Sequence, residues 1–387
     1  MDERTRLLKD AARRTAPRRP VNPPIERATT LINAEAKTLR SSDLGAAYGI
    51  SGLQVHDVLR DALAELEQAQ RVFLVPTGLA AATVAILAML DAGDEVILTD
   101  VSYAPTRRFS EVQLKRLGIS AQFAPPRSSA DELMALCTDR TRLIVMESPG
   151  SLTFEIPDSP AIAAAARSRG IATMLDNTWA AGVFFKPLDH GVDLSVQALS
   201  KYVGGHSDVF LGSIAVNDAK VAKRVDDVIE DFGWYVSPDD AYLALRGLRT
   251  LPVRVAQHQQ SALKVAQWLE QQPEVARVLY PALPTSPDHA LWKRDFTGAS
   301  GLMGVELKPG SREAAEAFLD TLKLFGVGFS WGGFESLATY EDPQLRRRQH
   351  QAKLGGPLVR LHIGLEGVDD LIADLRQGLD RYAGLTG

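Results

Sequence analysis

Only one cysteine, Cys137, occurs in the 387 residues, so no disulfide can close within the chain. That absence points to a reducing compartment, and the cytoplasm is the expected setting. Cys137 sits in DELMALCTDR without a neighbouring histidine, which reads as a small apolar packing residue. No metal site is expected. An excess of one charge is missing as well: 43 Lys and Arg face 48 Asp and Glu, for a net charge of -5. Such a balance favours neither a nucleic-acid nor a membrane partner. No run reaches the roughly 18 unbroken apolar residues of a membrane span, and no secretory apolar segment lies near Met1. Internal repeats and low-complexity linkers are also lacking.

What is present is ordinary globular usage, 45% apolar and 24% charged. The length suits two domains with cores of their own. Residues 1–50 read as an N-terminal arm, because Pro17, Pro20, Pro23 and Pro24 favour an extended strap. Residues 51–249 alternate strands and helices. Strands are predicted at Arg71–Val75, Glu95–Thr99, Arg142–Met146, Ile171–Leu175, Leu194–Gln197 and Ser213–Val216. Amphipathic or buried helices fit Val55–Gln70, Ala80–Leu90, Thr106–Leu117, Ser129–Leu136, Ile162–Arg169 and Asp218–Asp231. This alternation predicts an α/β fold with a mostly parallel sheet covered on both faces. Residues 250–387 change texture and predict a smaller C-terminal α+β domain, with helices at Val253–Glu270, Arg312–Leu322 and Val368–Tyr382.

One stretch organises the functional reading: DLSVQALSKYVGGHSD, Asp193–Asp208. Here a lysine directly follows a buried strand. Lost hydration favours its neutral amine, the nucleophile that forms Schiff bases with carbonyl compounds, pyridoxal phosphate (PLP) among them. A PLP site needs more than the lysine. A carboxylate keeps the pyridine nitrogen protonated, an aromatic face stacks on the ring, and N–H donors hold the phosphate. Asp176 in MLDNTW and Tyr103 in VSYAPT each follow a predicted strand, where ligands of such sheets gather. The strand–turn–helix through PTGLAA offers Gly78 and Leu79 as anion donors, with Ser200 beside Lys201. That turn matches neither a P-loop nor a G-x-G-x-x-G fingerprint. Gly204-Gly205 would let backbone pass close to a ring.

Taken together, ESPGSLTFEI, DNTWAAGVFFKPLD, SKYVGGHSDVFLG, RGLRTL, WKRDFTGASGL, FSWGGFESL and VRLHIGLEGVDDLIADL resemble the PLP-dependent Cys/Met-metabolism (trans-sulfuration) family from about Val21 to Tyr382. The resemblance implies the PLP-dependent transferase-like fold (fold type I). Position by position it makes Lys201 the Schiff-base lysine, Asp176 the partner of the pyridine nitrogen and Tyr103 the stacking tyrosine. Gly78, Leu79 and Ser200 become the phosphate cradle, Arg360 the grip on the substrate α-carboxylate, and Ser330 with Trp331 the substrate pocket. A planar carboxylate suits the bidentate fork of an arginine.

Relatives acting at the γ-carbon typically carry Ser-Leu-Gly-Gly where this chain has Ser330-Trp331-Gly332-Gly333, and ESPTNP where Glu147–Leu152 reads ESPGSL. Both differences point to a carbon–sulfur β-lyase acting on cystathionine or a similar S-substituted cysteine, within methionine biosynthesis. The alternatives are γ-synthase, γ-lyase or broad cysteine-conjugate lyase activity, or a non-catalytic descendant. The family also implies a homotetramer in which Tyr48, at the end of the arm, completes a neighbour's site. Where relatives carry Tyr-x-Arg, however, this chain has Tyr48 followed by Ile50. A lost charge-assisted phosphate contact costs roughly 1.5–3 kcal/mol. Arg27 and Arg40 are the candidates to compensate. Ala198 likewise stands where relatives often carry serine.

Overall fold

The computed structural model describes residues 3–8, 20–39 and 46–386. Seven strands form the first sheet: β1 Arg71–Val75, β2 Glu95–Thr99, β3 Ser120–Ala124, β4 Thr141–Glu147, β5 Ala172–Asp176, β6 Leu194–Ala198 and β7 Gly212–Val216. Their order is β1-β7-β6-β5-β4-β2-β3. β7 runs antiparallel to β1 and β6, while β3, β2, β4, β5 and β6 pair in parallel. Strand periodicity explains why both faces are covered. Val72, Leu74, Ile144 and Met146 enter one apolar cluster, whereas their neighbours Phe73, Val75, Leu143 and Val145 enter another on the opposite face.

The helix Gly78–Met89 is apolar nearly all round, with Ala81, Ala85 and Ile86 buried. It therefore lies sandwiched against the sheet rather than at the surface.

The second sheet has five strands: β8 Val275–Leu279, β9 Leu302–Leu307, β10 Gly326–Val327, β11 Leu337–Tyr340 and β12 Leu358–His362. Its order is β10-β11-β12-β9-β8, antiparallel except for β10 with β11. Helices Arg312–Thr321 and Val368–Thr386 cover it through Phe318, Leu371, Leu375 and Leu379. One apolar cluster runs continuously from the first sheet into this one. Trp179, just beyond β5, is a rivet between them. Its ring meets Tyr280 and Phe296 edge-on at 6.3 and 6.1 Å, and its Nε1–H donates to Leu302 O at 3.0 Å.

Two expectations change. Residues Glu3–Leu8 of the arm are helical, and Leu7 is buried in the main core, so the arm is not extended throughout. Burial of the apolar Leu7 side chain favours the helix there, and the distant prolines act only on their own neighbourhood. Gly204 and Gly205 do not make room for a ring. A Cβ at Gly205 would meet Arg254 Nη1 at 2.1 Å, and one at Gly204 would meet Val209. The glycines instead let the turn after Lys201 pack under Arg254, whose Nη2 donates to Val203 O and Gly247 O.

Candidate active site

Parallel strands end on one side of a sheet, so residues just beyond their carboxyl ends are brought together. Glu147 closes β4 and Asp176 closes β5, and they are paired in register. Lys201 follows β6 by three residues, with its backbone N–H returning to Ala198 O at 3.1 Å. The Lys201 amine donates to Ser330 Oγ at 2.7 Å and lies 5.5 Å from the centre of the Trp331 ring. Burial, reinforced by the Arg360 cation, lowers its pKa to about 8, against the opposing pull of Asp176.

Arg360 sits at the centre of β12, opposite Thr339 of β11. Its Nη1 lies 3.4 Å from Glu341 Oε1, and its Nη2 donates to Ser330 O at 3.4 Å. Glu341 is itself fixed by Thr339, whose hydroxyl donates to Oε1 at 2.7 Å. Thus the second sheet carries the guanidinium and the 330–333 loop across to Lys201.

Burial raises the Asp176 carboxyl above its ordinary range, and two hydrogen bonds from Thr178 and the Lys201 charge oppose that rise. Thr178 donates through N–H at 3.0 Å and through Oγ1 at 2.5 Å, both to Oδ1. No hydrogen bond in the described structure occupies Oδ2. A buried carboxylate with a spare oxygen suits a cationic partner, such as a protonated ring nitrogen. Thr178 Oγ1 also accepts from Ala198 N at 2.9 Å, which ties the end of β5 to the end of β6.

The helix Gly78–Met89 begins against the same edge. Thr77 Oγ1 accepts from Ala80 N at 2.9 Å, leaving the Gly78 and Leu79 N–H groups without an intrahelical partner. A Cβ on Gly78 would lie 2.3 Å from Ala198 Cβ, so only glycine lets the helix start so close to β6. Ser200 Oγ accepts from Leu211 N at 3.0 Å and returns a bond to Leu211 O at 3.3 Å, which fixes the hydroxyl beside Lys201. Free N–H groups at a helix start, a lysine of lowered pKa and a buried carboxylate fit the phosphate, aldehyde and ring nitrogen of PLP.

Tyr103 precedes the helix Ala104–Phe109, and its N–H donates to Glu147 Oε2 at 2.5 Å. Its ring is about half exposed; burial first, then the Glu147 and Asp176 charges, raise its hydroxyl pKa, and Arg360 opposes them. Burial is the largest cause raising the Glu147 carboxyl, well above its usual range, with the Asp176 charge next.

Tyr48 stands apart. Its backbone pairs with Thr30, its side chain is 51% exposed, and no hydrogen bond or ring contact among the described residues joins it to Lys201. Ile50 lies exposed in the next turn. Arg27 is engaged by Asp239, at 2.9 and 2.5 Å, and Arg40 falls outside the described residues.

Sequence reasoning overlooked Thr178, Glu341 and His362. The signal for Thr178 is its place two residues after Asp176, within reach of that carboxylate. Glu341 and His362 carry no local signal, because each acts across strands or loops distant in sequence.

A sheet whose carboxyl edge brings together a lysine of lowered pKa, the start of a helix and a buried carboxylate fits an enzyme of PLP fold type I. The chain belongs to the Cys/Met metabolism PLP-dependent enzyme family, whose pattern it matches over residues 4–380. It is 44% identical to the cystathionine β-lyase MetC of Escherichia coli, over 93% of this chain and 94% of that one. It is 43% identical to the cystathionine β-lyase of Bordetella avium, over 94% and 93%. The crystal structure of cystathionine γ-synthase from Xanthomonas oryzae pv. oryzae superposes with a TM-score of 0.92 at 31% identity, covering 100% of this chain and 99% of that one. Among the described residues no cluster of metal ligands occurs, and no helix is long and apolar enough to cross a membrane.

Proposed function

We propose that this chain is a PLP-dependent carbon–sulfur lyase that cleaves the β-carbon–sulfur bond of cystathionine. The overall reaction consumes cystathionine and water and yields homocysteine, pyruvate and ammonia. The observation that carries this reading is the amine of Lys201, of lowered pKa, set between Ser330, Trp331 and Arg360. When bound, the cofactor supplies an electron-withdrawing ring that stabilises negative charge at the substrate α-carbon.

The residues divide that work. Lys201 would hold the aldehyde carbon until the substrate's own amine takes its place and frees it, Asp176 would pair with the ring nitrogen and Tyr103 would stack on the ring. Gly78, Leu79 and Ser200 would receive the phosphate. Arg360 takes the α-carboxylate in its fork, which orients the α-C–H toward the Lys201 amine. That amine removes the α-proton and then delivers a proton to the departing sulfur. Ser330 holds the amine between these two tasks. Trp331 shapes the pocket toward the distal end of the substrate, and a bulky ring there supports β- over γ-cleavage. Tyr48 reaches the site of a second copy and assists the substrate amine.

We further propose an arm at 1–50, a cofactor-binding domain at 51–249 and a C-terminal domain at 250–387, in a cytoplasmic homotetramer built from pairs of dimers. Incubation with cystathionine and assay of both oxo-acids tests the reaction. Pyruvate with homocysteine is expected, and 2-oxobutyrate as the main product would overturn β-cleavage.

A further inference from the structure

The loop Ser330–Gly333 adopts an unfavourable backbone. Ser330 has φ +89° and Gly332 φ +88°, the left-handed side where a serine is strained. A Cβ on Gly332 would lie 2.8 Å from Tyr202 N and 2.9 Å from the carbonyl carbon of Lys201, so the loop rests directly on that peptide. Its first residue touches two groups of the site at once: Ser330 Oγ receives the Lys201 amine and Ser330 O receives Arg360.

Strain of this kind persists only where the surroundings hold it, and the hold comes from His362. Gly332 N–H donates to His362 Nε2 at 3.1 Å, and Gly333 O lies 3.1 Å from the same nitrogen. One neutral nitrogen cannot accept and donate together, so each tautomer binds one of the two loop groups through Nε2. The other nitrogen, Nδ1, is buried without a partner, and the whole residue is 1% exposed. An orphaned polar atom is a cost that a packed leucine would not carry. Burial first, and the neighbouring His258 second, lower the imidazole pKa to about 3, so it stays neutral while the enzyme works. His362 and Arg360 stand two apart on β12 and share one face, which lets a single strand set both the carboxylate grip and the loop.

We propose that His362 is a positioning residue for the reaction: through its Nε2 it holds the 330–333 loop so that Ser330 presents its hydroxyl to the Lys201 amine and its carbonyl to Arg360. This rests on the lyase reading above, and the two are separable by experiment. The first measurement uses no substrate: the pH titration of the cofactor's visible absorbance in the purified holoenzyme, which reports on protonation of the nitrogen that Lys201 contributes to its bond with the aldehyde. His362→Leu is expected to move its midpoint by about half a pH unit or more. His362→Gln, whose amide places a donor and an acceptor near the Nε2 position, is expected to restore it. In turnover, His362→Leu is expected to lower kcat about tenfold, the size of one lost buried hydrogen bond.

The decisive arm is the double-variant cycle. Once Ser330→Ala has removed the hydroxyl, His362→Leu is expected to cost less than about threefold further in kcat, while the carbonyl contact to Arg360, which this variant retains, is read in KM. A full tenfold loss of kcat in the Ser330→Ala background, or an unshifted titration in His362→Leu, would overturn the positioning role. Loss of lyase activity with any substrate tested, alongside a titration that still responds to His362, would sink the lyase reading alone.

Discussion

Lys201 lies between charges of opposite sign, and the balance sets its chemistry. Burial and Arg360 disfavour the ammonium while Asp176 favours it, with a net pKa of about 8. The neutral amine prevails above that pH. Capture of PLP by cofactor-stripped protein is therefore expected to quicken as pH rises and to level off above about 8, not near 10.5 as for an ordinary lysine. Lys201→Ala is expected to abolish both the cofactor's absorbance band and turnover. Arg360→Met removes a neighbouring cation, so the levelling-off should move to higher pH. The same variant loses the carboxylate grip, and steady-state kinetics should show KM raised roughly 10–100-fold, the worth of one or two charge-assisted bonds. An unchanged KM would exclude Arg360 from binding the α-carboxylate.

At the scale of elements, two close approaches decide the architecture of the edge. Gly78 brings a helix start against β6, and a methyl group there would overlap Ala198 Cβ at 2.3 Å. Gly78→Ala is expected to push the helix away and to weaken cofactor retention about 5- to 150-fold, from overpacking of about 1–3 kcal/mol. Dialysis followed by absorbance measures it. On the opposite face, the helix Gln54–Glu67 ends in a buried carboxylate held by Ser195 Oγ at 2.9 Å and by Gln197 Nε2. Burial raises the Glu67 pKa to about 7, against a usual 4.5. Between those values the unfolded chain releases a proton that the folded one retains, so stability falls as pH rises through that window. Glu67→Gln should thus raise the unfolding midpoint at pH 8, by the equivalent of about 1–3 kcal/mol, and leave it unchanged near pH 4.

At the scale of the whole molecule, the arm carries exposed apolar side chains. Tyr48 is half exposed within one chain and Ile32 is 96% exposed, although both belong to apolar or aromatic types that a second copy would cover. If the arm completes a neighbour's site, Lys201→Ala and Tyr48→Ala subunits should complement each other. Co-expression would regenerate one intact site in each mixed dimer, about a quarter of full activity for random pairing of two inactive chains. Sedimentation should show at least a dimer. Activity confined to a monomer, or no recovery on co-expression, would remove Tyr48 from the chemistry.

Much of this is legible in the sequence. Alternating strand periodicity and the apolar helix after PTGLAA lie in neighbouring residues, where hydrophobic period and turn chemistry act, and six strands of the first sheet follow from them. β3 escaped because only Phe123 and Ala124 of its five residues are buried, so its pattern is weak. The helix expected over Thr106–Leu117 passes through a π-helical turn at Ser110–Leu114, a detail no periodicity announces.

Lys201, Asp176, Tyr103 and Arg360 stood out as residue types in telling places. Their convergence did not, since Arg360 reaches Lys201 only because a second sheet delivers it beside Ser330. Thr178, Glu341 and His362 show the same division. Order along the chain fixes which groups exist and which strand end each occupies. Which atom faces which depends on packing between segments far apart in sequence, and a lowered lysine pKa is a property of that packing alone.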